Sequence, residues 1–240
     1  MTILYVFPHP DDESFGPGPA IAKQRREGHA VHLLTLTEGG ATTQRHRLGL
    51  SVEEMGDIRR KEMDCVADAL DLSSLTVLDL PDGGLKHLDP RDIERVIEER
   101  VEAVRPDVLV TYAVHGISGH PDHLVGHAVV KRLFCRLRDE RPDLAPQRLA
   151  FFTLTDGDDD TDRPAHLKSS DPNEISCLVE FSDTDLEKGH AALDCYETYA
   201  DVVEAHQPLD QVADGVAFVL FQEEHDAPLD SLTADLHEEG

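Results

Sequence analysis

Five short apolar runs, each followed by a helix-like stretch or a loop, constrain this chain more than any other feature. They are Ile3–Phe7, His29–Leu36, Leu75–Leu80, Val108–Tyr112 and Leu149–Leu154, and they are nearly continuous rather than alternating. A strand wetted on one face alternates apolar and polar residues, whereas a strand covered on both faces does not. Helical patterns fill the gaps between the runs. Pro19 to Glu27 is stopped by Gly28, and a long helix carries Ile58, Met63, Val66, Ala67 and Leu70 near helical spacing. Asp89-Pro90 starts another, with Ile93, Val96, Ile97, Val101 and Val104 on one face, and His123 to Leu137 makes a fourth. Strand and helix in turn predict an α/β fold: a Rossmann-like sandwich of parallel strands with helices on both faces. Ligands of such sheets bind in the loops beyond the carboxyl ends of the strands.

The later third is less regular. Ser176 to Phe181 reads as a further strand, Asp185 to Ala205 as one helix, and Val216 to Phe221 as an added edge strand. Residues 155–173, TDGDDDTDRPAHLKSSDPN, read as an acidic solvated loop, with a lid over the site as the alternative. The division expected is one domain over residues 1–222 and a frayed acidic tail over 223–240.

Composition excludes some functions. With 49 acidic and 22 basic residues the formal net charge is −27, which repels nucleic acid and anionic membrane surfaces. Only six of the basic residues are lysine, a balance that fits a protein kept soluble in concentrated salt, or an ordinary acidic cytosolic enzyme. No apolar run approaches the roughly 20 residues of a membrane span, and no basic-then-apolar leader opens the chain. Cys65, Cys135, Cys177 and Cys195 form no C-x-x-C pair and sit among apolar neighbours. Reduced thiols, no disulfide and a cytoplasmic location are the expectation. Homo-oligomerisation is left open.

Two polar clusters carry the chemistry. His9-Pro10-Asp11-Asp12-Glu13 follows the first apolar run, and His115-Gly116-Ile117-Ser118-Gly119-His120-Pro121-Asp122-His123 follows the fourth. Like charges packed at the end of a buried strand are costly unless a cation or hydrogen bonds compensate. The first cluster alone is equally a proline-fixed turn with an aspartate capping the next helix. The second changes the balance, because by strand count both loops leave the same edge of the sheet. Imidazoles and carboxylates converging from separate loops are the expected source of a zinc site.

His9-Pro10-Asp11-Asp12-Glu13 followed by Gly119-His120-Pro121-Asp122-His123 resembles the LmbE-like, or PIG-L-type, family of zinc-dependent N-deacetylases. Further similarity lies in Thr35–Gly40, in Arg59-Arg60-Lys61-Glu62 and in Leu80-Pro81-Asp82-Gly83, and more loosely in Ala191–His206. The match is good over residues 1 to about 130 and thin beyond. The resemblance implies His9, Asp12 and His123 as ligands of Zn²⁺, with Fe²⁺ able to occupy similar donors. It implies Asp11 as the general base that takes a proton from water, and His120 as stabiliser of the tetrahedral oxyanion, as an imidazolium. Arg59 and Asp82 match positions that hold sugar hydroxyls, although Arg59 could instead pair with Glu62. Asp122 either orients a ligand histidine or caps its helix. His127, one turn beyond His123, is expected at the surface. Ser118 stands where some members carry a tyrosine that polarises the carbonyl, a role Tyr112 could take. The substrate implied is an N-acetylglucosamine-containing small molecule.

Two other readings compete. Clustered carboxylates suit a metal-dependent phosphoester hydrolase, but histidines as two of the three ligands favour zinc. Gly16-Pro17-Gly18-Pro19 superficially resembles the loop of a non-catalytic nucleotide binder. It lacks a third glycine, and its prolines remove N–H donors that a pyrophosphate needs.

Overall fold

A computed structural model describes residues 1–156 and 166–237. Its sheet has seven strands: β1 (Thr2–Phe7), β2 (Ala30–Thr37), β3 (Ser74–Leu80), β4 (Val108–Tyr112), β5 (Arg148–Thr153), β6 (Cys177–Val179) and β7 (Val216–Leu220). They lie in the order β3-β2-β1-β4-β5-β7-β6. The first five are mutually parallel, and β7 runs antiparallel to both of its neighbours.

The principal helices are α1 (Gly18–Arg26), α2 (Gln44–Leu48), α3 (Val52–Ala69), α4 (Pro90–Val104), α5 (Gly116–Gly119, a single turn), α6 (Pro121–Glu140), α7 (Asp183–Asp194) and α8 (Ala200–His206). Pleating sends alternate residues of β1 to opposite faces. Ile3, Tyr5 and Phe7 join the core under α1, α3 and α7, while Leu4 and Val6 join the core under α4 and α6. Both faces are therefore covered, as the unbroken apolar runs predict.

Local chemistry sets the helix starts. Ser51 and Glu54 form a reciprocal capping box at α3, Ser182 and Asp185 form another at α7, and Asp89 caps α4 ahead of Pro90. The single helix expected over 185–205 is broken. α7 ends at Asp194, and Tyr196–Tyr199 makes a tight turn before α8. Glu62 accepts from the Thr198 backbone N–H (2.8 Å) and hydroxyl (2.7 Å), satisfying groups that a continuous helix would bond internally.

The expected edge strand, Val216–Phe221, is also corrected. β7 lies between β5 and β6, and three-residue β6 takes the edge. Leu229 bonds along β6, giving its carbonyl to the Leu178 N–H (2.8 Å) and its N–H to Ser176 (2.9 Å). The C-terminal segment is thus pinned through residue 237 rather than frayed, and Leu232 is fully buried. The expected acidic loop lies partly outside the described residues. Its return limb is ordered, with Thr155 bridging Ser170 and the Lys168 N–H bonding Ile117 O at 2.7 Å.

The cysteine expectation is overturned as well. Cys65 and Cys195 form a disulfide with their Cα atoms 5.8 Å apart, leaving Cys135 and Cys177 free. Apolar neighbours do not reveal a bridge of this kind, because α3 packs on α7 and brings together two positions 130 residues apart. A bridge closing so long a loop is expected to stabilise the fold by about 2–4 kcal/mol. Replacing both residues by serine should lower the melting temperature accordingly, read by calorimetry without reductant. An unchanged melting temperature would show that the bridge contributes nothing.

Candidate active site

The sheet order sets the position of the site. From β1 the chain steps outward to β2 and β3, then returns to place β4 on the other side of β1. The reversal opens a crevice between the carboxyl ends of β1 and β4, where ligands of such sheets bind. The loop after β1 supplies His9, Asp11, Asp12 and Glu13, and the segment after β4 supplies His120, Asp122 and His123. The loop after β3 adds Asp82. His9, Asp11, Asp12, Asp82, His120 and His123 line a cleft of about 560 Å³, with Glu13 and Asp122 buried behind them.

His9, Asp12 and His123 come together at its floor. His9 Nδ1 lies 3.2 Å from His123 Nε2 and 3.7 Å from Asp12 Oδ2, and His123 Nε2 lies 3.3 Å from Asp12 Oδ1. Ligand atoms about 2.0–2.1 Å from a tetrahedral ion stand roughly 3.3–3.4 Å apart. The other atom of each ring is committed elsewhere. His123 Nδ1 bonds Gly116 O at 2.9 Å, and its ring stacks on Tyr112 at 4.2 Å. His9 Nε2 faces Asp122 Oδ2 (3.3 Å) and Asp82 Oδ1 (3.2 Å). Asp12 is held by the His9 N–H (2.8 Å) and the Tyr112 hydroxyl (2.8 Å). Tyr112 thus lines the cleft with its hydroxyl already given to a carboxylate.

The electrostatics agree with a cation at this point. Burial would lower the pKa of His9, but Asp122, Asp82 and Asp12 raise it to about 10. Burial would raise Asp12, yet His123 and His9 bring it down to about 2. A buried group of two imidazoles and a carboxylate, each oriented by its remaining polar atoms, fits a divalent metal.

Asp11 stands beside this group in an unusual conformation. Its φ is +91°, a region that non-glycine residues rarely occupy and that clusters at functional sites. Its carbonyl accepts from the Ser14 and Phe15 N–H groups (both 2.9 Å), and two side chains hold it as well. Its N–H donates to Tyr196 Oη (2.8 Å), and its Oδ2 accepts from Arg59 Nη2 (2.6 Å). Burial pushes its pKa upward while the Arg59 guanidinium opposes the rise.

Arg59 is fully buried, bonding Pro10 O (2.5 Å) and Gly39 O (3.2 Å) besides Asp11, and it stacks over Tyr199 at 4.4 Å. It pairs with Asp11, not with Glu62. Asp82 reaches the cleft, but its oxygens already meet His9 Nε2 and the Ala41 N–H (2.7 Å).

His120 lies against His9 with ring centroids 4.7 Å apart. Its Nδ1 accepts from the Asp122 N–H at 3.2 Å, which caps α6. Burial, together with His9 and His123, lowers its pKa. The bond from Asp122 occupies Nδ1 and leaves Nε2 to face the cleft. Asp122 is fully buried and accepts from the Gly83 (2.8 Å) and Leu85 (3.2 Å) N–H groups while facing His9. His127 is not at the surface. It is buried, bonded to Tyr112 O at 2.9 Å, and packs on Phe151.

Sequence reasoning missed Tyr196 and Glu13. The Tyr196 hydroxyl donates to Glu13 Oε1 (2.7 Å) while accepting from Asp11. Burial pushes Glu13 up to about 7, against the bonds from Ser14 and Tyr196. The loose similarity over 191–206 was the available signal, and reading that stretch as one helix hid the turn.

Comparison with known proteins places the chain in a family. The family model described as GlcNAc-PI de-N-acetylase (PIG-L) matches residues 4–134. The chain is 32% identical over 157 residues to the Kineococcus radiotolerans 1D-myo-inositol 2-acetamido-2-deoxy-alpha-D-glucopyranoside deacetylase, covering 54% of this chain and 44% of that one. It is 31% identical over 153 residues to the Bacillus subtilis protein named "Probable N-acetyl-alpha-D-glucosaminyl L-malate deacetylase 2", covering 58% and 64%. The matches thus span less than two thirds of either relative. Among solved structures, the N,N'-diacetylchitobiose deacetylase of Pyrococcus horikoshii superposes with a TM-score of 0.66 at 19% identity, covering 92% of this chain and 83% of that one. That likeness concerns the fold. With more than half of its residues inside the family model, the chain belongs to the PIG-L, or LmbE-like, family.

Proposed function

We propose that the protein is a zinc-dependent N-deacetylase that removes the acetyl group from an N-acetylglucosamine-containing small molecule. The observation that carries this reading is the approach of His9 Nδ1 to His123 Nε2 (3.2 Å), with the two Asp12 oxygens 3.7 Å from the one and 3.3 Å from the other, beside a carboxylate that is not one of them. When bound there, the ion supplies a Lewis acid for the amide carbonyl and a nucleophile at neutral pH, a service Fe²⁺ could also give.

The chain's own groups do the rest. Asp11, fixed by Arg59 and Tyr196, takes the proton of the attacking water and returns it to the departing amine. His120, with Nδ1 occupied as an acceptor, presents Nε2–H to the oxygen that gains charge in the tetrahedral state. Asp122 and Asp82 fix the tautomer of His9. Asp82, at the rim of the cleft, is left to meet sugar hydroxyls, and Arg59 acts there through the Asp11 that it holds. A phosphoester would want cations. Arg59 is the one arginine or lysine lining the cleft among the described residues, and Asp11 already occupies it.

The test is metal content together with amine release on a panel of N-acetylglucosaminyl compounds. About one zinc per chain, and turnover that chelation abolishes, are the expected results. A chain that takes up neither Zn²⁺ nor Fe²⁺ would sink the reading. Asp122→Ala is expected to weaken metal binding about 10–100-fold, measured by chelator competition. Unchanged affinity would mean that Asp122 serves only the Gly83–Leu85 turn.

A further inference from the structure

The cleft has two unlike halves, and the sheet order keeps them apart. Toward β2 and β3 lie Ala41, Thr42, Thr43, Asp82 and Gly83. Toward β5 the wall is mostly apolar, with Ser118 and His166 beside its apolar residues. Phe152 and Leu154 come from the end of that strand, Ile117 from α5, and Leu167 from the return limb that Lys168 pins to Ile117. Phe15, packed edge-on against Tyr199, and Val202 of α8 extend the wall outward. Phe15, Leu167 and Val202 are only partly buried, so apolar surface is open to an occupant.

Charge narrows the choice of occupant. Asp11, Asp12 and Asp82 line the cleft, and among the described residues Arg59 is its one arginine or lysine, bonded to Asp11 at 2.6 Å. No arginine or lysine lining the cleft among the described residues is left to take a carboxylate or phosphate on the substrate; His166 and His206 line it as well, and the three aspartates repel such groups. The whole chain, at −27, repels such groups as well.

We infer that the β5 side of the cleft is an aglycone subsite for an uncharged, apolar alkyl or aryl group on the sugar, and that this chain discriminates against aglycones bearing carboxylate or phosphate. The inference rests on the deacetylase reading for the placing of the sugar, but the apolar wall can be tested without turnover.

Calorimetric titration with methyl, hexyl and 5-carboxypentyl glucosaminides uses product-like ligands that carry no acetyl group. Hexyl should bind about tenfold or more tightly than methyl, part of what five buried methylenes can give. The carboxypentyl compound should lose that gain. Phe15→Ser and Leu167→Asn, both at partly exposed positions, should each bring the hexyl-to-methyl ratio toward one. Equal binding of methyl and hexyl, or carboxypentyl binding as well as hexyl, would overturn the subsite. Amine release from the hexyl N-acetylglucosaminide is measured alongside. A hexyl preference without any amine release overturns the deacetylase reading and leaves the subsite standing. Turnover without chain-length preference does the reverse.

Discussion

Asp11→Asn is expected to keep its bound metal and lose about 10²–10⁴ in kcat, the usual contribution of a positioned proton-transfer group. Asparagine suits this test better than alanine. At φ +91° it tolerates the left-handed region, so the loss reports the missing charge and not a relaxed loop. The Tyr196–Asp11 backbone bond survives the change, and Arg59 keeps an oxygen to bond. Metal content, measured on the same sample, separates the roles. If metal and activity disappear together, Asp11 is a ligand. If kcat is unchanged, the base lies elsewhere, and Glu13, buried beside it with one oxygen lacking a partner among the described residues, becomes the carboxylate to examine.

The second large effect lies far from the cleft. Arg148 on β5 is almost fully buried and forms a fork with Glu223, Nε to Oε1 at 2.8 Å and Nη2 to Oε2 at 2.7 Å. Its Nη1 is capped by the Leu232 (2.7 Å) and Ala234 (3.0 Å) carbonyls. Removing one partner of such a pair strands a buried charge. Glu223→Ala is therefore expected to cost about 3 kcal/mol, or roughly 6–12 °C in melting temperature for a chain of this size. The acid sensitivity has a definite sign. Burial would raise Glu223, but Arg148 holds it below the ordinary glutamate value. The contribution is then full above the unfolded value near 4.5 and is lost as pH falls through the lower folded one. The variant's melting temperature should converge on that of the parent in acid. A gap that stays constant from neutral pH down to the acid limit would remove Glu223 as its cause.

The parallel half of the sheet was legible because burial on both faces leaves an unbroken apolar signature, as in Ile3–Phe7 and Val108–Tyr112. The convergence of His9, Asp12 and His123 was legible because His9 and Asp12 sit just past β1 and His123 sits on the helix that follows β4, and parallel strands deliver such segments to one edge. The late elements were not. The place of Val216–Leu220 inside the sheet depends on an antiparallel pairing with β5 that local pattern does not encode. Tyr196 and Glu13 act through a hydrogen bond across 183 residues, and nothing near either marks the other. The commitment of Arg59 to Asp11 was hidden in the same way: helical spacing offered Glu62 as a partner, and only the folded loop offers Asp11.

The Cys65–Cys195 bond joins the helix that carries Arg59 to the turn that carries Tyr196, the two residues that hold Asp11 by its side chain and its amide. The proposed base is thus clasped from both sides by elements sharing one covalent link. Glutathione in a reducing cytosol works to open such a clasp, and an oxidising compartment keeps it shut. If Asp11 is the base, the firmness with which it is held is then expected to follow the surrounding thiol pool, through a bond that lines no part of the cleft.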